Sequence, residues 1–450
     1  MALSSLVFIF IFLPLSLLLY HLVPQRGRQI LLAILSLLFY AFGSPKYLAV
    51  LLLSIAFNYG TGIEIEKWGV AGNFFLKRFA MIFGVTVNIV LLGLFKYSSL
   101  GLPIGISFFT FSAISYLLDV YWEKAGAEYD PVQLILYIAF FPKVTSGPIV
   151  QYRDFKEQLR TRTTAAFDLR EGMSLFLYGL FKKVILADTL GKAFGEVTAL
   201  SSMAGGSAWL GMIFYSLQLY FDFDRYSDMA IGLSRMFGFR FEKNFDYPYL
   251  STGISEFWRR WHISLGAWFR NYVYIPLGGN RCSVLKQIRN LMIVWALTGI
   301  WHGSTLNFLV WGLYHGLFVL LERFVLKDAL EKIPDGIRVF LTDFIAFFGW
   351  IFFFSPSLMG AFRYIGRMFG MDGVGFWNGT TTFILKEYAL ILILSVLFCG
   401  PVMKNLHDKL AYVRGGAWKT ASVVLHGLLF LLCVAGLVSA TYTSFLYFRF

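Results

Sequence analysis

Leu291-Met-Ile-Val-Trp-Ala-Leu-Thr-Gly-Ile-Trp-His-Gly303 runs apolar up to Trp301, with a single threonine and a glycine inside it, and closes on His302. A helix of this composition is built for a lipid or protein interior. An ionisable ring at its end is costly there unless it is hydrogen-bonded, hydrated or used. Runs of the same kind recur on both sides. They lie at about residues 4 to 23, 29 to 42, 46 to 59, 79 to 95, 103 to 121, 132 to 150, 173 to 192, 207 to 221, 287 to 300, 305 to 325, 338 to 354, 386 to 403 and 422 to 446. A spanning helix needs about 20 apolar residues, so the shorter runs are expected to be re-entrant or paired pieces. Such pieces survive at membrane depth only where protein buries them or a wet cavity faces them. The expected fold is an all-α polytopic membrane protein with about 9 to 12 crossings.

Composition agrees. Of 450 residues, 58% are hydrophobic and 14% charged, against about 45–50% and about 25% in soluble proteins. The net charge is +13, from 39 Lys and Arg against 26 Asp and Glu. No nucleic-acid motif accompanies the basic residues, which gather between apolar runs as the positive-inside rule and anionic headgroups require. The expected partner is therefore the bilayer and not nucleic acid. Three stretches are too polar for lipid: Gln151 to Glu171, Arg240 to Arg260, and Arg270 to Arg289. Their Arg and Lys content places them in the cytoplasm, and Arg26 and Arg28 by the same count put the N-terminus outside. Met1 to Leu22 lacks a basic lead and exceeds a signal h-region, so it reads as a retained first helix. Cys282, Cys399 and Cys433 form no C-x-x-C pair and suggest neither a disulfide framework nor a thiolate metal site. Without internal repeats, residues 1–450 read as one membrane domain, with a core at about 100–325 and C-terminal helices at about 338–446.

Chemistry is sought among the histidines. His302, His315 and His262 fall close together in sequence, His262 inside Glu256-Phe-Trp-Arg-Arg-Trp-His-Ile-Ser264. Imidazole titrates near neutrality, and burial without an anionic partner keeps it in the neutral form that a base needs. His302 is thus a candidate general base, beside the alternative of a structural histidine bonded to a neighbouring helix. A three-histidine metal site has no H-E-x-x-H or i, i+4 pair to support it. Asp222, Asp224 and Asp228 follow an apolar run. Asp224 and Asp228 share a helix face and Arg225 can pair with Asp228; the cluster reads either as a solvated helix end or as carboxylates that orient the histidines. Arg259, Arg260 and Arg270 lie among tryptophans and tyrosines, which suits an interfacial anchor or a grip on the phosphates of a coenzyme A thioester.

At these motifs the chain resembles the membrane-bound O-acyltransferase family, and within it the alginate O-acetyltransferase branch. The resemblance runs through Ser4-Ser-Leu-Val-Phe-Ile-Phe-Ile-Phe-Leu-Pro14, Leu102-Pro-Ile-Gly-Ile-Ser-Phe-Phe-Thr-Phe111, Phe141-Pro-Lys-Val-Thr-Ser-Gly-Pro148, Tyr220-Phe-Asp-Phe-Asp-Arg-Tyr-Ser-Asp228, Phe257-Trp-Arg-Arg-Trp-His-Ile-Ser-Leu265 and Trp301-His-Gly303. Asp224, Arg225 and Asn271 depart from the pattern common in relatives; Asp222 and Asp228 match it. The resemblance implies a ring of membrane helices around a funnel. It also implies catalytic histidines at His302 and His262, with Asp222, Asp228 and Trp301 in support and His315 structural. It implies no resident cofactor: acetyl-CoA is the expected acyl donor, used from the cytoplasm of a bacterial inner membrane. The acyl group would reach an extracytoplasmic polysaccharide through an SGNH-type partner or a polysaccharide synthase complex. D-alanyl transfer from a carrier protein to teichoic acid, and transport without chemistry, are the alternatives.

Overall fold

A computed structural model describes residues 2–162 and 165–439. The opening stretch forms the end of a continuous helix, Val284–His302, which turns back into Leu306–Phe324. Glycines set the closeness of this hairpin. A Cβ on Gly299 would lie 2.5 Å from the Phe308 carbonyl oxygen, and one on Gly312 2.3 Å from that of Trp295. Small residues let membrane helices approach backbone to backbone, where dispersion and not hydrophobic burial holds them. Asp335–Phe354 then packs on the second arm. His315 occupies the hollow left by Gly349, whose added Cβ would stand 2.4 Å from its Nε2.

The described residues fold mainly into helices joined by turns and loops, with no strand among them. Five helices are long and apolar enough to cross a membrane: Gln25–Gly43, Pro45–Val70, Phe74–Tyr97, Asp335–Phe354 and Thr420–Ser439. Gly379–Glu387 and Ala389–Phe398, bent by 53°, make a sixth if they form one span. This is an all-α, multi-pass membrane protein.

Several expected segments differ in detail. The 132-to-150 run is helical only over Pro131–Ala139 and then turns, because Pro142 and Pro148 lack the amide hydrogens a helix needs. The 207-to-221 run does not stop before the aspartates; Gly205–Met236 carries them all within one helix. Within Gln151 to Glu171, Tyr152–Thr161 is an amphipathic helix burying Tyr152, Phe155 and Leu159. The expected 422-to-446 segment is described as far as residue 439, and its remainder lies outside the described residues.

Contacts divide the chain into two units, Met1–Tyr178 with Tyr226–Lys243, and Gly179–Arg225 with Asn244–Phe450. In the first, Ile106–Tyr121 is buried along almost its whole length. It packs on the hairpin of Leu48–Val70 and Phe74–Tyr97. That hairpin is tied by two side-chain amides: Asn58 Nδ2 donates to Asn88 Oδ1 at 3.2 Å, and Asn88 Nδ2 returns the bond at 2.7 Å. In the second unit, the core gathers Trp261, Trp311, Trp350, Phe353 and their neighbours.

Candidate active site

One face of Val284–His302 carries Leu291, Val294, Trp295, Thr298 and His302, in steps of three, one, three and four residues, and all five line a cavity of about 220 Å³. Eleven residues of helix separate the first from the last, about 16 Å at 1.5 Å per residue. Arg270 and Tyr274 also line the cavity. They belong to a π-turn, Arg270–Tyr274, near the beginning of this helix: the Tyr274 hydroxyl donates to Asn280 Oδ1 at 2.6 Å, and Gln287 Nε2 donates to the Asn280 carbonyl at 3.2 Å. Arg270 is exposed, whereas His302 is buried. The cavity therefore leads from a guanidinium at the surface to an imidazole in the interior.

His302 ends its helix, and Gly303 follows in extended backbone with no room for a Cβ against the Phe308 ring. The His302 ring is held by Trp301, Trp311 and Phe353, at centroid distances of 4.5, 4.8 and 5.0 Å. His262 lines the same cavity from the turn between Ile254–Arg260 and Ile263–Phe269. Its backbone is left-handed, with φ 47°, a conformation that costs a non-glycine residue about 1–3 kcal/mol and persists where surroundings enforce it. Burial pushes its pKa down to about 3, so the ring is neutral at physiological pH. Its edge meets Phe223 at 4.5 Å.

The structure thus brings His302 and His262 to one chamber. His315 is excluded from it. Fully buried, it lies behind the wall among Trp258, Trp295, Trp311 and Trp350, at 4.8 to 6.0 Å. Of the three arginines, only Arg270 lines the cavity; Arg260 donates to Glu256 at 2.6 Å and Arg259 is exposed. Trp301 packs against His302 with the rings tilted, without lining the cavity.

The carboxylates sit elsewhere on Gly205–Met236. The Arg225 guanidinium engages Asp222, through Nε at 2.9 Å and Nη2 at 2.7 Å. Lys183 reaches Asp188 at 2.6 Å and Asp222 at 3.5 Å, and Lys182 reaches Asp224 at 2.5 Å. These contacts set Lys182, Lys183 and Arg225 against Asp188, Asp222 and Asp224. Phe223, between Asp222 and Asp224, faces the cavity. Asp228 belongs to the first unit. Lys182, Lys183 and Asp188 were not anticipated, although two lysines in an apolar run were a visible signal. Nor was Asn244, whose side chain meets His262. Among the described residues, no group of three or more His, Cys, Asp or Glu is arranged to hold a metal ion.

Helices of the second unit enclose a narrow aromatic chamber with two imidazoles inside and a guanidinium at its mouth, an arrangement able to hold a substrate away from water. The profile of MBOAT, the membrane-bound O-acyltransferase family, matches residues 120–360. The chain is 39% identical over 400 residues to a probable alginate O-acetylase of Pseudomonas aeruginosa, covering 84% of this chain and 76% of that protein. It is 33% identical over 458 residues to a peptidoglycan O-acetyltransferase of Helicobacter pylori, covering 88% and 86%. A teichoic acid D-alanyltransferase of Bacillus subtilis is 30% identical over 236 residues, covering 50% and 60%. The chain belongs to the membrane-bound O-acyltransferase family and is an O-acyltransferase.

Proposed function

We propose that this protein takes an acetyl group from acetyl-CoA at the cytoplasmic face of a bacterial inner membrane and passes it across for O-acetylation of an extracytoplasmic polysaccharide. An SGNH-type protein or a polysaccharide synthase complex would be its partner. The observation that carries the reading is the single cavity shared by His302, His262 and Arg270. Arg270 would receive the donor's phosphates at the mouth, since a guanidinium binds phosphate through paired charge-assisted hydrogen bonds. The cavity would then take the apolar arm and its thioester.

At the inner end, His302 takes the proton of an attacking hydroxyl as its oxygen bonds to the thioester carbon. The carbon–sulfur bond breaks, and the proton passes to the departing thiolate. General-base assistance of this kind contributes about 10²–10⁴-fold. Alginate and peptidoglycan O-acetylation among the relatives supports the acetyl cargo and the polysaccharide acceptor. The D-alanyltransferase likeness favours one second reading, D-alanyl transfer from a carrier protein to teichoic acid, over half of the chain. Co-purification with an acyl-carrier protein, without turnover of acetyl-CoA, would select it.

The test is His302→Ala. Polysaccharide O-acetylation is expected to vanish while the protein still inserts and folds. Normal acetylation by that variant would overturn the assignment.

A further inference from the structure

His262 reaches the cavity through a loop that Asn244 holds at four points. The Asn244 backbone carbonyl accepts from the Ile263 amide at 2.9 Å. Its side-chain Oδ1 accepts from the Ser264 amide at 3.0 Å and the Ser264 hydroxyl at 2.9 Å, and meets His262 Nδ1 at 3.2 Å. Asn244 is itself buried, at 1% exposure. The two ends of a carboxamide are hard to tell apart by shape, but a backbone N–H can only donate. The atom facing Ser264 N must therefore be the amide oxygen. That oxygen cannot donate to His262, so Nδ1 carries the hydrogen and His262 Nε2 carries the lone pair. Nε2 has no hydrogen-bond partner among the described residues, and with Nδ1 engaged it is the ring nitrogen left for a ligand.

We infer that Asn244 is a positioning residue that locks His262 in the Nδ1–H tautomer, so that His262 meets bound substrate only as an acceptor, through Nε2. The inference rests on the acyltransferase reading for its ligand. The group accepted is a protic one carried by a substrate into an apolar chamber: an amide N–H of the thioester donor's arm, or the hydroxyl of the acceptor. Either is costly to bury without a partner. The other titratable groups lining the cavity are Arg270, Tyr274 and His302. Among the described residues none of them hydrogen-bonds to His262, so the tautomer is set by Asn244.

Two variants of the full chain in lipid nanodiscs test this, Asn244→Asp and Asn244→Leu. Asn244→Asp keeps an acceptor for Nδ1–H and for Ser264. Its carboxylate, next to the ring, favours the imidazolium by about 1–3 pKa units. The acid limb of kcat is expected to move to higher pH by a similar amount, because the acceptor form is lost as pH falls through the raised pKa. At alkaline pH this variant is expected to stay well above Asn244→Leu, which frees the ring to take the other tautomer and should lose about a hundredfold, as misplaced catalytic groups do. A rise in KM for acetyl-CoA in Asn244→Leu assigns the accepted group to the donor; a fall in kcat with that KM unchanged assigns it to the hydroxyl. Wild-type kinetics in Asn244→Leu, or equal loss in both variants with no shift of the acid limb, would overturn the proposal.

A direct measurement is independent of turnover. In ¹⁵N-histidine-labelled protein, with His262 assigned by difference from His262→Asn, Nδ1 is expected to be protonated and Nε2 bare. A protonated Nε2 would sink the inference even if acyl transfer were established. A chain that turned over no acyl thioester would sink the acyltransferase mechanism and leave this tautomer still measurable.

Discussion

Gly312→Ala adds one methyl group where the hairpin arms touch, and its effect can be worked from the geometry. The new Cβ would stand 2.3 Å from the Trp295 carbonyl oxygen and 3.1 Å from the Gly299 backbone. Ordinary contact begins near 3.4 Å, so the arms must part by about 1 Å. Backbone meets backbone there, and no side-chain rotation can relieve the clash. Val284–His302 carries His302, and Leu306–Phe324 carries the Trp311 that holds its ring. A displacement of about 1 Å at a reacting group costs about 10²-fold in rate, while overpacking costs about 1–3 kcal/mol of stability. The assay is transfer of radiolabelled acetyl from acetyl-CoA by the purified protein with its acceptor system, alongside thermal unfolding in detergent. We expect kcat to fall about a hundredfold with modest loss of stability. Gly60→Ala, on a helix face where nothing lies within 4 Å of the added Cβ, should change neither. Wild-type kcat in well-folded Gly312→Ala would refute the claim that this seam positions His302.

Two further outcomes concern stability. Asn58→Leu should cost about 1–3 kcal/mol by taking from Asn88 Oδ1 the Asn58 donor it faces, while Asn88 Nδ2 keeps its bond to the Gly84 carbonyl, and adding Asn88→Leu should recover much of it; a double variant as unstable as the sum of the singles would show that the pair is not coupled. Asp168 is buried, which raises its pKa, but the Ala165 amide together with Arg240 and Arg235 outweighs burial and holds the carboxyl below its usual range. Its stabilisation is thus fully present above about pH 4 and is lost as pH falls through the depressed value. Wild type should unfold at higher temperature than Asp168→Asn at neutral pH, and the gap should close in acid. A gap that persists at low pH would exclude this linkage.

Much of the fold was legible because lipid imposes one demand, a satisfied backbone inside an apolar surface, and apolar runs record it directly. The ends of those runs were less legible. Pro142 and Pro148 cut short a segment that hydropathy alone extended, and the aspartates of Gly205–Met236 looked like a helix end because their counter-charges, Lys182 and Lys183, lie about forty residues away in sequence. The same remoteness hid Asn244. It stands 18 residues before His262, and only the turn between two short helices brings them together. His302 and His262 were visible from their motifs, and the cavity unites them. Arg259 and Arg260 were indistinguishable from Arg270 in composition; the π-turn at Arg270–Tyr274, which no local pattern announces, selects one of the three.

The hollow at Gly349 has a consequence for how this chain can change over generations. A methyl group there would collide with the imidazole of His315, and the ring cannot retreat through four tryptophans. Positions 315 and 349 are therefore one unit of inheritance. A lineage that enlarges the second must first shrink the first, and descendants should carry either a ring beside a glycine or a small side chain beside a larger one.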